Sequence, residues 1–212
     1  MGTRHMIIIA KDNEYPVAQY GQWDGYPDGA GLAILSFLRT FNIYGLNAGF
    51  KHLKSLENDD VAKLWEDVGA VDGHATMDVA EEFKKLYPSL SRDTGSDILG
   101  LVLRATEDNP LYVHSQLDFV NDSLFCEWCY VIDINKKTFE IYKGFNREPL
   151  AESERFYTEK NPKAIGLNLG SSSIEDKFYP VKHVWTFVID NLPTDEYFIK
   201  MVEDEYEELE IE

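Results

Sequence analysis

The chain has 212 residues, of which 44% are hydrophobic and 13% aromatic, enough for one sizeable core and short for two, so a single domain over 1–212 is expected. Its formal charge of -18 argues against nucleic acid as a partner, because neutralising phosphates requires clustered Lys and Arg. No apolar run approaches the roughly 18 residues of a membrane span, and Lys11-Asp12-Asn13-Glu14 cuts Met6–Ala10 short of the ~7–15-residue core of a signal peptide; a cytoplasmic protein with no membrane partner is expected.

From the N-terminus, the β-branched run Met6 to Lys11, the turn pair Asp12-Asn13 and the alternating Tyr15 to Tyr20 predict a β-hairpin. Pro16 cannot donate to a ladder, which makes its strand edge-like. The following Gly21-Gln22-Trp23-Asp24-Gly25-Tyr26-Pro27-Asp28-Gly29 is dense in turn residues and reads as a structured loop. Apolar spacing then predicts helices over Ala30 to Phe41, Leu46 to Leu56, Asp59 to Val68 and Met77 to Leu86, and another opening from Ser91–Asp97 with Ile98, Leu99, Val102 and Leu103 on its apolar face. Strands are expected at Leu111 to His114, Phe125 to Ile134 and Thr138 to Lys143, the last two forming a second hairpin around Asn135-Lys136-Lys137.

Residues 146 to 180 are polar and rich in Gly, Ser, Asn and Lys, and are expected to be irregular; Val181 to Ile189 reads as a strand, and Pro193-Thr194 opens a final helix that runs into the acidic tail 203–212. An N-terminal hairpin, central helices, C-terminal antiparallel strands and a last helix make an α+β order, expected as a layered sheet-and-helix sandwich.

Among residues suited to chemistry, Gln19, Tyr20, Gln22, Trp23 and Asp24 concentrate amide, phenol and carboxylate groups on a backbone held by glycines, as a polar ligand pocket requires. The alternative is a tight connection in which Asp24 caps turns and Trp23 and Tyr26 plug the core. Arg92 and Asp93 stand before a helix start, where free N–H groups bind anions or where Asp93 merely caps. Asn121 and Asp122 precede a strand on which Glu127 sits among apolar residues, and a carboxylate buried there needs Arg4 or Arg92 beside it. Cys126 and Cys129 have redox or zinc spacing but lack a second ligand pair, and two residues three apart on a strand face opposite ways, so buried free thiols are expected. The five histidines stand singly, which gives no metal site, and no nucleotide or hydrolase signature implies a cofactor.

The opening Met1-Gly2-Thr3-Arg4-His5, the run from Gln19 to Pro27, Pro88 to Gly95 and Phe119 to Trp128 resemble a widespread family of uncharacterised fungal proteins with shorter bacterial and phage relatives; the likeness implies membership and no particular activity. More loosely, Thr3 followed by a strand, a tight turn and a second strand resembles the start of the N-terminal-nucleophile hydrolases. That resemblance implies Thr3 as nucleophile, with its own freed amine as base, once the Gly2–Thr3 bond is cut.

Two functions follow as expectations. One is a small-molecule-binding or hydrolase-like protein, acting on an amide-type bond, with Thr3, Arg4 and Asp24 catalytic and Gln19, Tyr20, Gln22, Trp23, Arg92, Asp93, Asn121, Asp122 and Glu127 holding the ligand. The other is a non-enzymatic acidic module that engages a basic protein partner through its charge and its aromatic residues.

Overall fold

The computed structural model describes residues 2–41, 43–157 and 178–202. Strands β1 (His5–Lys11) and β2 (Glu14–Gly21) form the expected hairpin, turning at Asp12 and Asn13, whose φ angles of 54° and 64° suit a two-residue hairpin turn. β2 lies at the edge of a five-stranded sheet of order β2-β1-β5-β6-β7, so Pro16 withholds no hydrogen bond from an inner ladder.

Strands β5 (Trp128–Asp133), β6 (Thr138–Lys143) and β7 (Lys182–Val188) are mutually antiparallel, but β5 lies parallel to β1, with His5 opposite Trp128. The sheet is therefore mixed, and the whole helical segment serves as the crossover between its two central strands. Both faces of β1 and β5 are buried, which is why Met6-Ile7-Ile8-Ile9 reads as an unbroken apolar run.

On one face, Ile7, Ile9, Tyr130 and Phe139 meet a helical layer. That layer contains α1 (Leu32–Thr40), entered through a single π-type turn at Pro27–Gly31, and α5 (Asp97–Arg104), crossed by α2 (Tyr44–Phe50). The final helix, described over 195–202, adds Phe198, whose ring stacks 5.9 Å from that of Phe139. Each such fully buried side chain contributes about 1.5–3 kcal/mol, so this layer carries much of the stability. Helices α3 (Asn58–Val68) and α4 (Met77–Leu86) pair outside it through Trp65 stacked on Phe83, and Thr76 caps α4 by accepting from the Val79 N–H.

Two expected elements differ. The helix anticipated to Leu56 stops at Phe50; Leu53–Ser55 (β3) instead pairs parallel with Leu111–Val113 (β4) in a separate two-stranded sheet, a long-range ladder overriding the local apolar spacing. The strand expected from Phe125 begins at Trp128, because the Phe125 and Cys126 N–H groups turn back to the Asp122 carbonyl. Cys126 thus precedes the strand and lies in the same apolar layer as Cys129 rather than on the opposite face. Both remain buried free thiols, as expected, with burial pushing them well up from the usual thiol range.

The second face of the sheet is covered by irregular chain. Val120, Phe156 and Val181 pack there on Met6, Ile8 and Val131. Asn146 donates to the Glu148 and Pro180 carbonyls, and Arg155 bonds Glu140 at 2.7 Å and Asp133 at 2.6 Å. Burial opposes ionisation of Glu140, but hydrogen bonds from Arg155 and Tyr142 prevail and hold its carboxyl below the ordinary range. Residues 146–157 are irregular, as the composition predicts; the rest of that polar stretch up to 177 and the acidic tail 203–212 lie outside the described residues.

Candidate ligand-binding cleft

The loop after β2 is fixed from beneath. The Gly25 N–H donates to the Thr3 carbonyl at 3.1 Å, and the fully buried Tyr130 donates its hydroxyl to the Gly25 carbonyl at 2.8 Å. Asp24 sits at φ 54°, a left-handed conformation that Asp tolerates better than most residues, and its carbonyl accepts from Ala30 to start the turn into α1.

A second segment, Ser91 to Ser96, is bound edge-on to this loop. The Gln22 N–H donates to the Arg92 carbonyl at 2.9 Å, the Gln19 amide to the Ser91 carbonyl at 3.2 Å, and the Trp23 indole N–H to the Asp93 carboxylate at 3.0 Å. Lys84 takes the other Asp93 oxygen at 3.0 Å. Lys84 first, then Trp23, holds the Asp93 carboxyl below the ordinary range. Asp93 is thus a clamp between the two segments and α4.

Between the segments lies an open cleft of about 560 Å³, within the usual range for a small-molecule site. Gln22, Trp23 and Asp24 line one wall, and Arg92, Ser96 and Asp97 the other. A second groove of about 810 Å³ shares Asp93, Thr94, Ser96 and Asp97 with it and continues past Lys84 and Arg104.

His5 forms part of the floor. It is 1% exposed, its Nδ1 faces the Thr3 carbonyl at 3.5 Å, and its Nε2 is closed off from solvent and has no hydrogen-bond partner among the described residues. Burial, opposed by the Thr3 carbonyl and by Asp24, pushes its pKa down to about 4, so the ring is neutral near pH 7. The backbone closes tightly around it: a Cβ on Gly21 would come within 2.3 Å of the ring, and one on Gly25 within 2.7 Å. Neither position admits a side chain while the imidazole is there.

Of the residues expected to form a site, Gln22, Trp23, Asp24, Arg92 and Asp93 come together here, and Gln19 braces the cleft from below. The remainder stand apart. Thr3 is buried and is not among the lining residues, which use only its carbonyl. Arg4 and Glu127 pair with each other, the Arg4 N–H donating to the carboxylate at 3.1 Å while the guanidinium covers Phe125; this is the partner anticipated for Glu127, outside the cleft. Tyr20 points to the same side as Met6, against Phe119, and donates to Gln22 at 2.6 Å; burial, opposed by Arg4 and Arg92, raises its pKa. Asn121 and Asp122 form the turn before β5 and do not reach the cleft. Arg4 precedes β1 and turns to Glu127 and Phe125, whereas His5, the first residue of β1, is among the cleft lining.

His5 and Ser96 were missed as site residues. Searches for ligand pairs pass over a single histidine, and the usable signal was the glycines around the hairpin, whose tightness implies a bulky neighbour.

No group of three or more His, Cys, Asp or Glu able to hold a metal occurs among the described residues, and no described helix is long and apolar enough to cross a membrane. No family model matches the chain, and neither curated proteins nor solved structures provide a match.

Proposed function

We propose that this chain is a cytoplasmic small-molecule-binding protein of hydrolase-like type, whose ligand enters the cleft between the Gln22–Asp24 loop and the Arg92–Asp97 segment. The observation that carries this reading is a cleft of about 560 Å³ whose two walls, distant in sequence, are braced to each other by specific hydrogen bonds from Gln22 to the Arg92 carbonyl and from Trp23 to Asp93. The two buried free thiols suit a reducing compartment.

A neutral imidazole can take a proton from a water or from the ligand, the part a general base plays in cleaving an amide-type bond, once binding uncovers the ring and relieves the burial that depresses its pKa. The hydrolytic role is thereby assigned to His5, with Asp24 close enough to favour the imidazolium as it forms. Chemical-shift mapping with a library of small polar fragments tests the binding: hits are expected to move Trp23, Gly95 and Ser96 together. Hits that leave both segments unmoved refute it. For catalysis, turnover of amide substrates is expected in the parent protein and lost in His5→Asn; fragment binding without turnover in the parent removes the hydrolase half.

A further inference from the structure

Helix α5 carries two different stripes. Ile98, Leu99 and Val102 are buried in the helical layer, whereas Asp97, Gly100, Leu101 and Arg104, at i, i+3, i+4 and i+7, share the opposite side and line the groove of about 810 Å³. Ala33 and Phe37 of α1 line it with them, as does Pro88. The groove thus combines apolar walls with a carboxylate at the start of α5 and a guanidinium from its end.

These two charges are unanswered within the protein. Lys84 is bound to Asp93 at 3.0 Å and Lys85 to Glu82 at 3.6 Å, whereas Asp97, Arg104 and Glu81, the other charges on the groove, have no ion-pair partner among the described residues. Gly100 sets where the guanidinium lies. A Cβ on Gly100 would stand 3.1 Å from Arg104 Nη1, so the arginine is folded back over bare backbone, one to two helical turns from Asp97, or about 5–10 Å.

The free charges select by sign. An anion alone would meet Asp97 and Glu81, and a cation alone would leave Arg104 unanswered. A molecule with both signs at that spacing and an apolar group between them matches the groove as it stands. Successive residues of an extended peptide are about 3.3–3.6 Å apart, so two or three of them separate a terminal ammonium from a terminal carboxylate by the required distance.

Resting on the reading of the adjoining cleft as a ligand site, which shares Thr94, Ser96 and Asp97 with the groove, we propose that the ligand is a free di- or tripeptide. Its ammonium is met by Asp97, its carboxylate by Arg104, and an apolar side chain packs on Phe37 and Leu101. Arginine can hold a carboxylate through two parallel N–H···O bonds, which fixes the direction of the peptide along the groove. Such a ligand also carries the amide bond that the hydrolytic reading requires.

The test titrates the full 15N-labelled chain with Ala-Leu and Ala-Leu-Ala, following the N–H signals of Gly100 and Leu101 together with those of Trp23 and Gly95. N-acetylated and C-amidated forms of the same peptides each remove one charge. The free peptides are expected to shift Gly100 and Leu101 saturably, and either cap to weaken binding about tenfold. In Arg104→Gln the amidated and free peptides should bind within about twofold of each other, and in Asp97→Asn the acetylated and free. Both residues are exposed, so these variants test charge rather than folding. Caps that leave affinity unchanged in the parent, or that keep their full penalty in the matching variant, overturn the proposal. So do peptides that shift Trp23 and Gly95 with Gly100 and Leu101 still, although the cleft then remains a ligand site. If peptides shift nothing while small polar fragments move Trp23, the peptide proposal alone fails; if neither shifts a signal, the site reading fails with it.

Discussion

Acidification should destabilise this protein through His5 in a window that the geometry defines. In the unfolded chain the imidazole takes up a proton near pH 6.5, whereas in the folded chain burial delays this to about pH 4. Between those values the unfolded state binds more protons, so the stability associated with a neutral His5 is fully present above the upper value, falls as pH drops through the window, and levels off below about 4. Going from about pH 7 to about pH 5, the loss from this single group is about 2 kcal/mol. The assay is urea unfolding followed by far-ultraviolet circular dichroism at both pH values, in parent and His5→Asn. Carboxylates titrate in both proteins and cancel in the comparison, leaving His5. The parent should lose about 2 kcal/mol more than the variant over this interval. Parallel losses would refute a buried neutral imidazole.

Three further outcomes follow from the geometry. Arg155→Ala removes the cation between Glu140 and Asp133, both nearly buried, and should cost about 3–5 kcal/mol in urea unfolding at neutral pH; the parent's advantage should fade as pH drops through the depressed pKa of Glu140, since protonation dissolves the pair. Tyr130→Phe leaves the Gly25 carbonyl without its donor and should cost about 1–3 kcal/mol while accelerating amide hydrogen exchange at Trp23 and Asp24. Gly21→Ala drives a methyl into the His5 ring and should cost about 1–3 kcal/mol, with the cost largely removed in a Gly21→Ala, His5→Ala double variant.

Legibility in the sequence followed the range of the interactions concerned. The hairpin, α4 and the β5–β6 pair were readable because turn residues, apolar spacing and alternation act within a few positions. The parallel pairing of β1 with β5 and the short β3–β4 ladder were not, since each joins segments far apart in the chain that carry no local mark of their partner. At the site, turn chemistry drew attention to Gln22, Trp23 and Asp24, and the polar cluster before α5 to Arg92 and Asp93. Their convergence depends on Trp23 reaching Asp93, a contact across 70 positions. Arg4 was expected with them as a catalytic residue, yet it pairs with Glu127 outside the cleft, while His5, its neighbour, is among the lining residues.

The most direct test is a crystal of the full chain soaked with small polar fragments. The account predicts density in the cleft between Trp23 and Asp24 on one wall and Arg92 and Ser96 on the other. A cleft closed by its own side chains, or soaked molecules bound only elsewhere, would contradict it.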